Sequence, residues 1–567
     1  FVERASYTYT VKSAGGRTAH CMGNMVKETF LGGDTVVRTF DFTQEIPTHL
    51  SAIAVAAYQD HDYMHAGAFG PVPVRLSAKA AQLTPMITKL TDLGGAIDAC
   101  EHWYGPHAFD RVGYALTTDG ALEIPTNIAY PQFMTGQSDF DNRGLYSHEL
   151  GHHWFGDVVA PHVHNDMWLK EGPAEYASHL FEEWLNGTEA FVDVVKDNQL
   201  FVLEQAHIQD DGFQALSPMP DEHTYGRHTY YKGAAVLHNL RGYLGDSLFA
   251  VGMQYVQQQL AYSDMTPQQF RDTLTAGTGV DLNAFFDAWV FAPGFAAFVV
   301  DDMEATSNAG QWNVDLLLRQ KLRGTTSWHQ QVPLDLTLVG ANWQRQEFQV
   351  TAGGEFSNVS VVADFEPVMA IINGHNRLNQ ARMDYEFTIP ADGAFSSVMP
   401  RTEFRLYDDA LTDSALFRVE HIWSGPDADN LGWGVDELST THYWTVDGIW
   451  PAGTDLWARL YYDGNGVDDL DFPLYGATEA DAILVYRATA NDSWELYPDL
   501  VATIGNTTDG VGNFIMNNLR KGHYAFARGN AVIGVQEEAA STGVLQVFPV
   551  PVSDMLTVRG NSTTPGT

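Results

Sequence analysis

Residues 1–57 alternate apolar and polar positions in the manner of β-strands, as in Ser6-Tyr7-Thr8-Tyr9-Thr10-Val11 and Thr35-Val36-Val37-Arg38-Thr39-Phe40. This stretch is expected to be the last part of an N-terminal β-domain. Residues 58–300 change character. Short strand-like pieces (Val72–Leu76, Arg111–Leu116) give way to long stretches in which apolar residues recur at three and four, from Leu145 to Val290. Acidic starts and glycine stops, as at Asp246 and Gly187, bound some of these helices. The period returns to two after Gly294, with Trp312–Leu316 and Val332–Leu338 as strands of a β-sandwich-like segment over 301–385. An accessory β-domain is expected over 386–535, its clearest strand at Ala482–Arg487. Residues 536–567 read as a linker and a Ser/Thr/Gly/Pro-rich tail. The pattern is that of a multidomain α+β chain.

Composition narrows the function classes. A chain of 567 residues exceeds what one core supports, so several domains are expected. No run of eighteen apolar residues occurs, and no helical membrane span is predicted. The formal charge is −40, from 71 acidic and 31 basic residues, which repels nucleic acid and anionic membranes. Cys21 and Cys100 are the only cysteines, too few for a disulfide framework or a cysteine-type zinc site. They read as buried thiols. Position 1 is Phe, and no charged-then-apolar leader follows. Any secretory signal is therefore expected to have been removed or to lie outside this sequence.

The candidate chemistry sits in His148-Glu149-Leu150-Gly151-His152, with Glu171 nineteen residues beyond. On an α-helix, positions i and i+4 lie about 40° apart, so both imidazoles face one way. Two imidazoles and one carboxylate form a three-ligand zinc set whose fourth position is left for water. Glu149, next to the first ligand, is then placed as general base.

The run from His148 to Asp157, followed by Trp168-Leu169-Lys170-Glu171-Gly172-Pro173-Ala174-Glu175-Tyr176, resembles the aminopeptidase N family of gluzincin metallopeptidases. That family usually has Asn where Asp157 and Lys170 stand and an aromatic where Pro173 stands. All three ligands are spared. The resemblance implies a thermolysin-like gluzincin catalytic domain, a small sheet plus helices, flanked by β-sandwich domains. Tyr230-Tyr231-Lys232-Gly233-Ala234 is similar to the family's Tyr-x-Lys-Gly-Ala segment and gives Tyr230 the role of transition-state tyrosine, with Tyr231 as its rival. Gly120-Ala121-Leu122-Glu123-Ile124 is similar to the Gly-x-Met-Glu-Asn strand that lines the substrate cleft. By that match Glu123 holds the substrate's α-amino group, and Gly120 and Ala121 line the cleft. Asp281–Gly294 resembles the end of the helical part of the catalytic domain.

Other polar residues near the motif have plainer readings. His153 is expected to pack or hydrogen-bond. His162 and His164 fall in a predicted loop, and Glu175 either orients a ligand imidazole or faces solvent. Asp463–Asp471 concentrates oxygen donors in a turn. Calcium is one reading; an acidic solvated turn is preferred because the spacing is not that of an EF-hand. Val547–Val558 resembles the opening of the C-terminal sorting domain of type IX secretion, with Val550 where Asn usually stands between the prolines. That implies a secreted or cell-surface protein with the secretion machinery as a partner.

The expected activity is that of a zinc aminopeptidase holding one zinc ion and acting on peptides with free N-termini. Two alternatives stay open: a zinc endopeptidase using the same metal chemistry, and a non-catalytic surface protein that binds peptides or other ligands through 386–535.

Overall fold

Strand alternation near the N-terminus produces a three-stranded antiparallel sheet in which Thr35–Pro47 lies between Arg4–Ser13 and Asn24–Gly32. Its inward residues Tyr9, Phe40 and Phe42 are buried. The computed structural model describes residues 2–530 apart from 392–394, 409–410, 455, 505 and 507. The linker and sorting segment expected at 536–567 lie outside the described residues.

The chain divides into two compact units, Phe1–Tyr385 with Glu420–Ser424, and Glu386–Val419 with Gly425–Thr567. The first unit carries the candidate chemistry. Its four-stranded sheet runs in the order Tyr58–Gly67, Gly70–Lys79, Val112–Thr117, Ile128–Pro131. The first pair is antiparallel and the next two pairs are parallel. Gly120–Ile124 forms no strand of its own. It contributes one antiparallel bridge, Leu122 to Ala129, so the cleft-lining strand expected from the sequence is reduced to a single pairing. A Gly120 φ of +71° and the bond from its N–H to Asp119 Oδ1 turn the chain just before it.

The helical layer follows. Ser138 caps helix Asp139–Gly151 by accepting from the Asp141 N–H, and Asp139 and Asp141 favour its positive end. Helix Trp168–Asn186 is buried along most of its length and stops at Gly187, whose φ is 86°. The run Gly233–Leu260 breaks at Gly245 (φ 72°, ψ 162°), so the helix restarts at Asp246, as its acidic start suggested. Small residues let these helices close on one another. A Cβ on Gly151 would stand 2.8 Å from Ala177 Cβ, and one on Gly233 would stand 2.9 Å from Gly172 Cα. Bulkier residues at these crossings would push the motif helix away from Glu171, and Glu171 away from Tyr230.

Beyond the helices, Phe295–Asn308, Gln311–Arg323 and Phe356–Ala363 form one antiparallel sheet, and Arg345–Ala352, Val332–Gly340 and Pro367–Ile372 another. Phe298, Leu316, Leu318, Leu334, Leu336 and Leu338 pack in a single core, the arrangement of a β-sandwich. Among the described residues, the second unit is all β but for the short helix Phe472–Tyr475. One of its sheets runs Phe395–Val398, Phe404–Asp408, Leu456–Asp463, Val511–Met516, Leu500–Ile504, and Ala482–Arg487 pairs with Gly522–Gly529 in another. The molecule is thus multidomain α+β. Among the described residues, no helix is long and apolar enough to cross a membrane. Cys21 and Cys100 are free and buried.

Candidate metal centre

His148 and His152 leave the last turn of their helix on one face, and Glu171 meets them from the first turn of the next long helix. Three atoms converge. His148 Nε2 and His152 Nε2 are 3.2 Å apart, and Glu171 Oε2 lies 3.5 Å from the first and 3.2 Å from the second. All three side chains are buried.

The other ring nitrogens decide what these atoms are. His152 Nδ1 is 3.0 Å from the Phe155 carbonyl, which can only accept, so that nitrogen carries the proton. His148 Nδ1 is 2.9 Å from Glu175 Oε2 and is protonated by the same logic. Glu175 therefore orients the His148 imidazole. With Nδ1 as the donor on both rings, the neutral form of each directs its Nε2 lone pair, together with a Glu171 carboxylate oxygen, at one spot. Such a donor set is costly to bury unless a cation lies between. A zinc ion about 2.0–2.1 Å from each nitrogen at tetrahedral angles sets the nitrogens about 3.3 Å apart, close to what is found. The residues fit the metal.

Glu149 is buried beside this set. Burial pushes its carboxyl up to about 7, against the pull of His148 and His152. Tyr230 lies in a π-helical turn, His228–Lys232, whose start is pinned by Asp210: Oδ2 accepts from the His228 N–H at 2.7 Å and lies 2.7 Å from His228 Nδ1. The Tyr230 ring stacks on His148 with centroids 6.0 Å apart and planes 21° apart. Burial and then the Glu171 carboxylate push its phenol above the usual range, so it keeps its proton. Tyr231 instead packs on Phe201, with centroids 4.5 Å apart.

Glu123 is brought to the same centre, 3% exposed, through an unexpected partner. Lys170 Nζ lies 2.5 Å from Glu123 Oε1 and 3.3 Å from Glu171 Oε1. Burial works against the Lys170 ammonium, but the Glu171 and Glu123 carboxylates outweigh it and hold the group charged. Lys170 in turn draws both carboxyls below the usual range against the cost of burial. The sequence marked Lys170 only as a departure from Asn. Gly120 is exposed and Ala121 half-buried on the loop that leads to Glu123.

Asp157, the other departure from Asn, is fully buried with both carboxylate oxygens unbonded, and burial pushes its carboxyl well above the usual range. A neutral acid there is nearly isosteric with Asn. The Asp157 backbone carbonyl accepts from Arg4 Nη1 at 3.0 Å. His153 is buried against His107, ring nitrogens 2.9 Å apart, in keeping with a hydrogen-bonding role. His162 pairs with Asp264 and His164 with Asp221, both histidines about half exposed.

The Asp463–Asp471 turn is held by its own acids. Asp463 Oδ1 accepts from Asn465 N–H at 3.0 Å, Asp469 Oδ2 from Gly466 N–H at 2.5 Å and Asp471 Oδ2 from Asp463 N–H at 3.0 Å. Asp471 Oδ1 lies 2.7 Å from His442 Nε2.

Residues 124–289 match the model of the Peptidase family M1 domain. The chain is 23% identical to a probable aminopeptidase 2 of Sulfurisphaera tokodaii, over 59% of this chain and 44% of that one. It is 33% identical to the aminopeptidase N of Lactococcus lactis subsp. lactis, over 28% of this chain and 20% of that one. The chain spans less than half the length of these curated relatives. Among solved structures, Legionella pneumophila aminopeptidase A in complex with aspartic acid superposes with a TM-score of 0.54 at 15% identity, covering 66% of this chain and 44% of that one. That likeness is one of fold.

Proposed function

From the match of residues 124–289 to the Peptidase family M1 domain we propose that the chain is a zinc-dependent aminopeptidase of the aminopeptidase N family. The observation that carries this reading is the convergence of His148 Nε2, His152 Nε2 and Glu171 Oε2 within 3.5 Å, with both Nδ1 atoms engaged elsewhere.

Zinc, when bound to His148, His152 and Glu171, supplies the Lewis acidity that activates water and polarises a carbonyl. Glu149 accepts the proton of the attacking water and returns it to the leaving amine. The Tyr230 hydroxyl donates to the developing oxyanion. Glu123 attracts the α-ammonium of a peptide, so that the scissile bond is measured from the chain end. Gly120 and Ala121 line the approach to that carboxylate.

The test is release of the first residue from aminoacyl-amides, with and without a metal chelator. Chelator-sensitive release that zinc restores supports the reading. Absence of any metal-dependent release would overturn it, and absence of metal-dependent cleavage of any peptide would favour the non-catalytic surface protein. An endopeptidase would instead cleave internal bonds of long peptides and leave aminoacyl-amides intact.

Export belongs to the same proposal. Residues 547–558 resemble a type IX sorting segment, which supports a secreted or cell-surface location. Deleting that segment in a bacterium with a type IX system should retain the protein inside the cell; unchanged export would exclude the route.

A further inference from the structure

In the proposed aminopeptidase Glu123 reads the substrate's ammonium, yet the chain already supplies an ammonium to that carboxylate. Lys170 Nζ stands 2.5 Å from Glu123 Oε1, and Lys170 is 5% exposed. The contact is a buried ion pair, so Glu123 Oε1 already has a cationic partner within the chain. The stem that delivers the charge is guided by its surroundings. At Gly156, with φ +136°, a Cβ would lie 3.2 Å from both Lys170 Cγ and Cε, so the absence of a side chain there leaves room for the lysine. Glu171 Oε1, the ligand residue's other oxygen, receives the same ammonium at 3.3 Å.

We propose that Lys170 is a specificity-determining residue, a tethered cation that occupies the amine-reading carboxylate Glu123 and that the α-ammonium of a peptide must displace. This rests on the aminopeptidase reading and narrows its substrate class. A free N-terminus gains less from Glu123 than it would from a bare carboxylate, because it exchanges one ammonium for another and meets a like charge nearby. A peptide whose N-terminus is blocked forgoes little. The chain therefore accepts N-blocked peptides alongside free ones.

The experiment compares kcat and KM for one aminoacyl-amide and its N-acetyl form in the wild type, Lys170→Met, Lys170→Asn and Lys170→Arg, with zinc content measured for each. The ratio of kcat/KM, free over acetylated, is expected to rise about tenfold or more in the Met and Asn variants through a lower KM for the free amine. Lys170→Arg keeps the charge and is expected to keep the wild-type ratio. Inhibition by propylammonium reports amine binding alone and is expected to tighten by a similar factor in Met and Asn. A ratio and an inhibition constant unchanged in zinc-loaded Met and Asn variants would overturn the proposal, as would loss of kcat alone. Absence of chelator-sensitive turnover in the wild type would overturn the aminopeptidase reading instead, a separate outcome.

Discussion

Glu175 Oε2 sits 2.9 Å from His148 Nδ1, one helical turn beyond Glu171, so a single helix supplies one candidate metal ligand and the acid that orients another. The bond fixes the His148 tautomer and turns Nε2 toward Glu171. Loss of such a partner typically weakens metal binding about 10–100-fold. Glu175→Ala should lower zinc affinity by that factor while the fold persists, as measured by competition with a chromophoric chelator. Unchanged affinity would remove the orienting role.

Tyr230 and Tyr231 offer an internal comparison. One ring lies on His148 and the other on Phe201. Removing the Tyr230 hydroxyl takes away one donor to the oxyanion, a loss of about 10²–10³ in kcat for comparable donors. Tyr230→Phe should show that loss with KM little changed, and Tyr231→Phe should stay within about threefold of the wild type. The reverse order would reassign the donor.

Helix approach sets the site's dimensions, and two glycines test it with opposite signs. A Cβ at Gly233 meets Gly172 Cα at 2.9 Å, whereas one at Gly144 meets nothing within 4 Å. Gly233→Ala gains about 1 kcal/mol of helix propensity but incurs overpacking of about 1–3 kcal/mol, so stability should fall. Gly144→Ala should raise it by about 0.5–1 kcal/mol. Urea denaturation of the two variants gives both signs; stabilisation by Gly233→Ala would show that the crossing has slack.

Lys232 makes stability depend on pH. It is fully buried, and Nζ donates to the carbonyls of Gln214 at 2.8 Å and Ala292 at 3.1 Å, as many bonds as a neutral amine has N–H groups. Burial pulls its pKa from 10.5 down to about 7. Between those values the unfolded chain binds a proton that the folded chain lacks, so stability rises with pH through that window and is lost as pH falls toward 7. Lys232→Met should flatten this rise in urea midpoints taken at pH 7 and pH 9.5. Equal slopes in both proteins would contradict the buried neutral amine.

The sequence made some of this legible and hid the rest for physical reasons. His148 and His152 follow from helical geometry alone, since i and i+4 share a face wherever the helix lies. The β-to-α-to-β succession shows in the change of period from two to 3.6 and back. The resemblance picks Tyr230 over Tyr231, but the π-helical turn that carries both has no signature in the sequence. The strand expected at Gly120–Ile124 shrank to one bridge because a turn at Gly120 and the single pairing to Ala129 leave no ladder to extend. Lys170 against Glu123 was invisible, since a contact between distant segments depends on how helix Trp168–Asn186 seats beside the Gly120–Ile124 loop.

The central claim is that His148, His152 and Glu171 hold zinc while Glu149 moves the proton. Zinc content and turnover of an aminoacyl-amide, measured side by side in wild type and Glu149→Gln, test it most directly. The account predicts one zinc per chain in both proteins and a fall in kcat of about 10²–10⁴ in the variant. A wild type that binds no zinc, or a zinc-loaded Glu149→Gln that turns over at the wild-type rate, would contradict it.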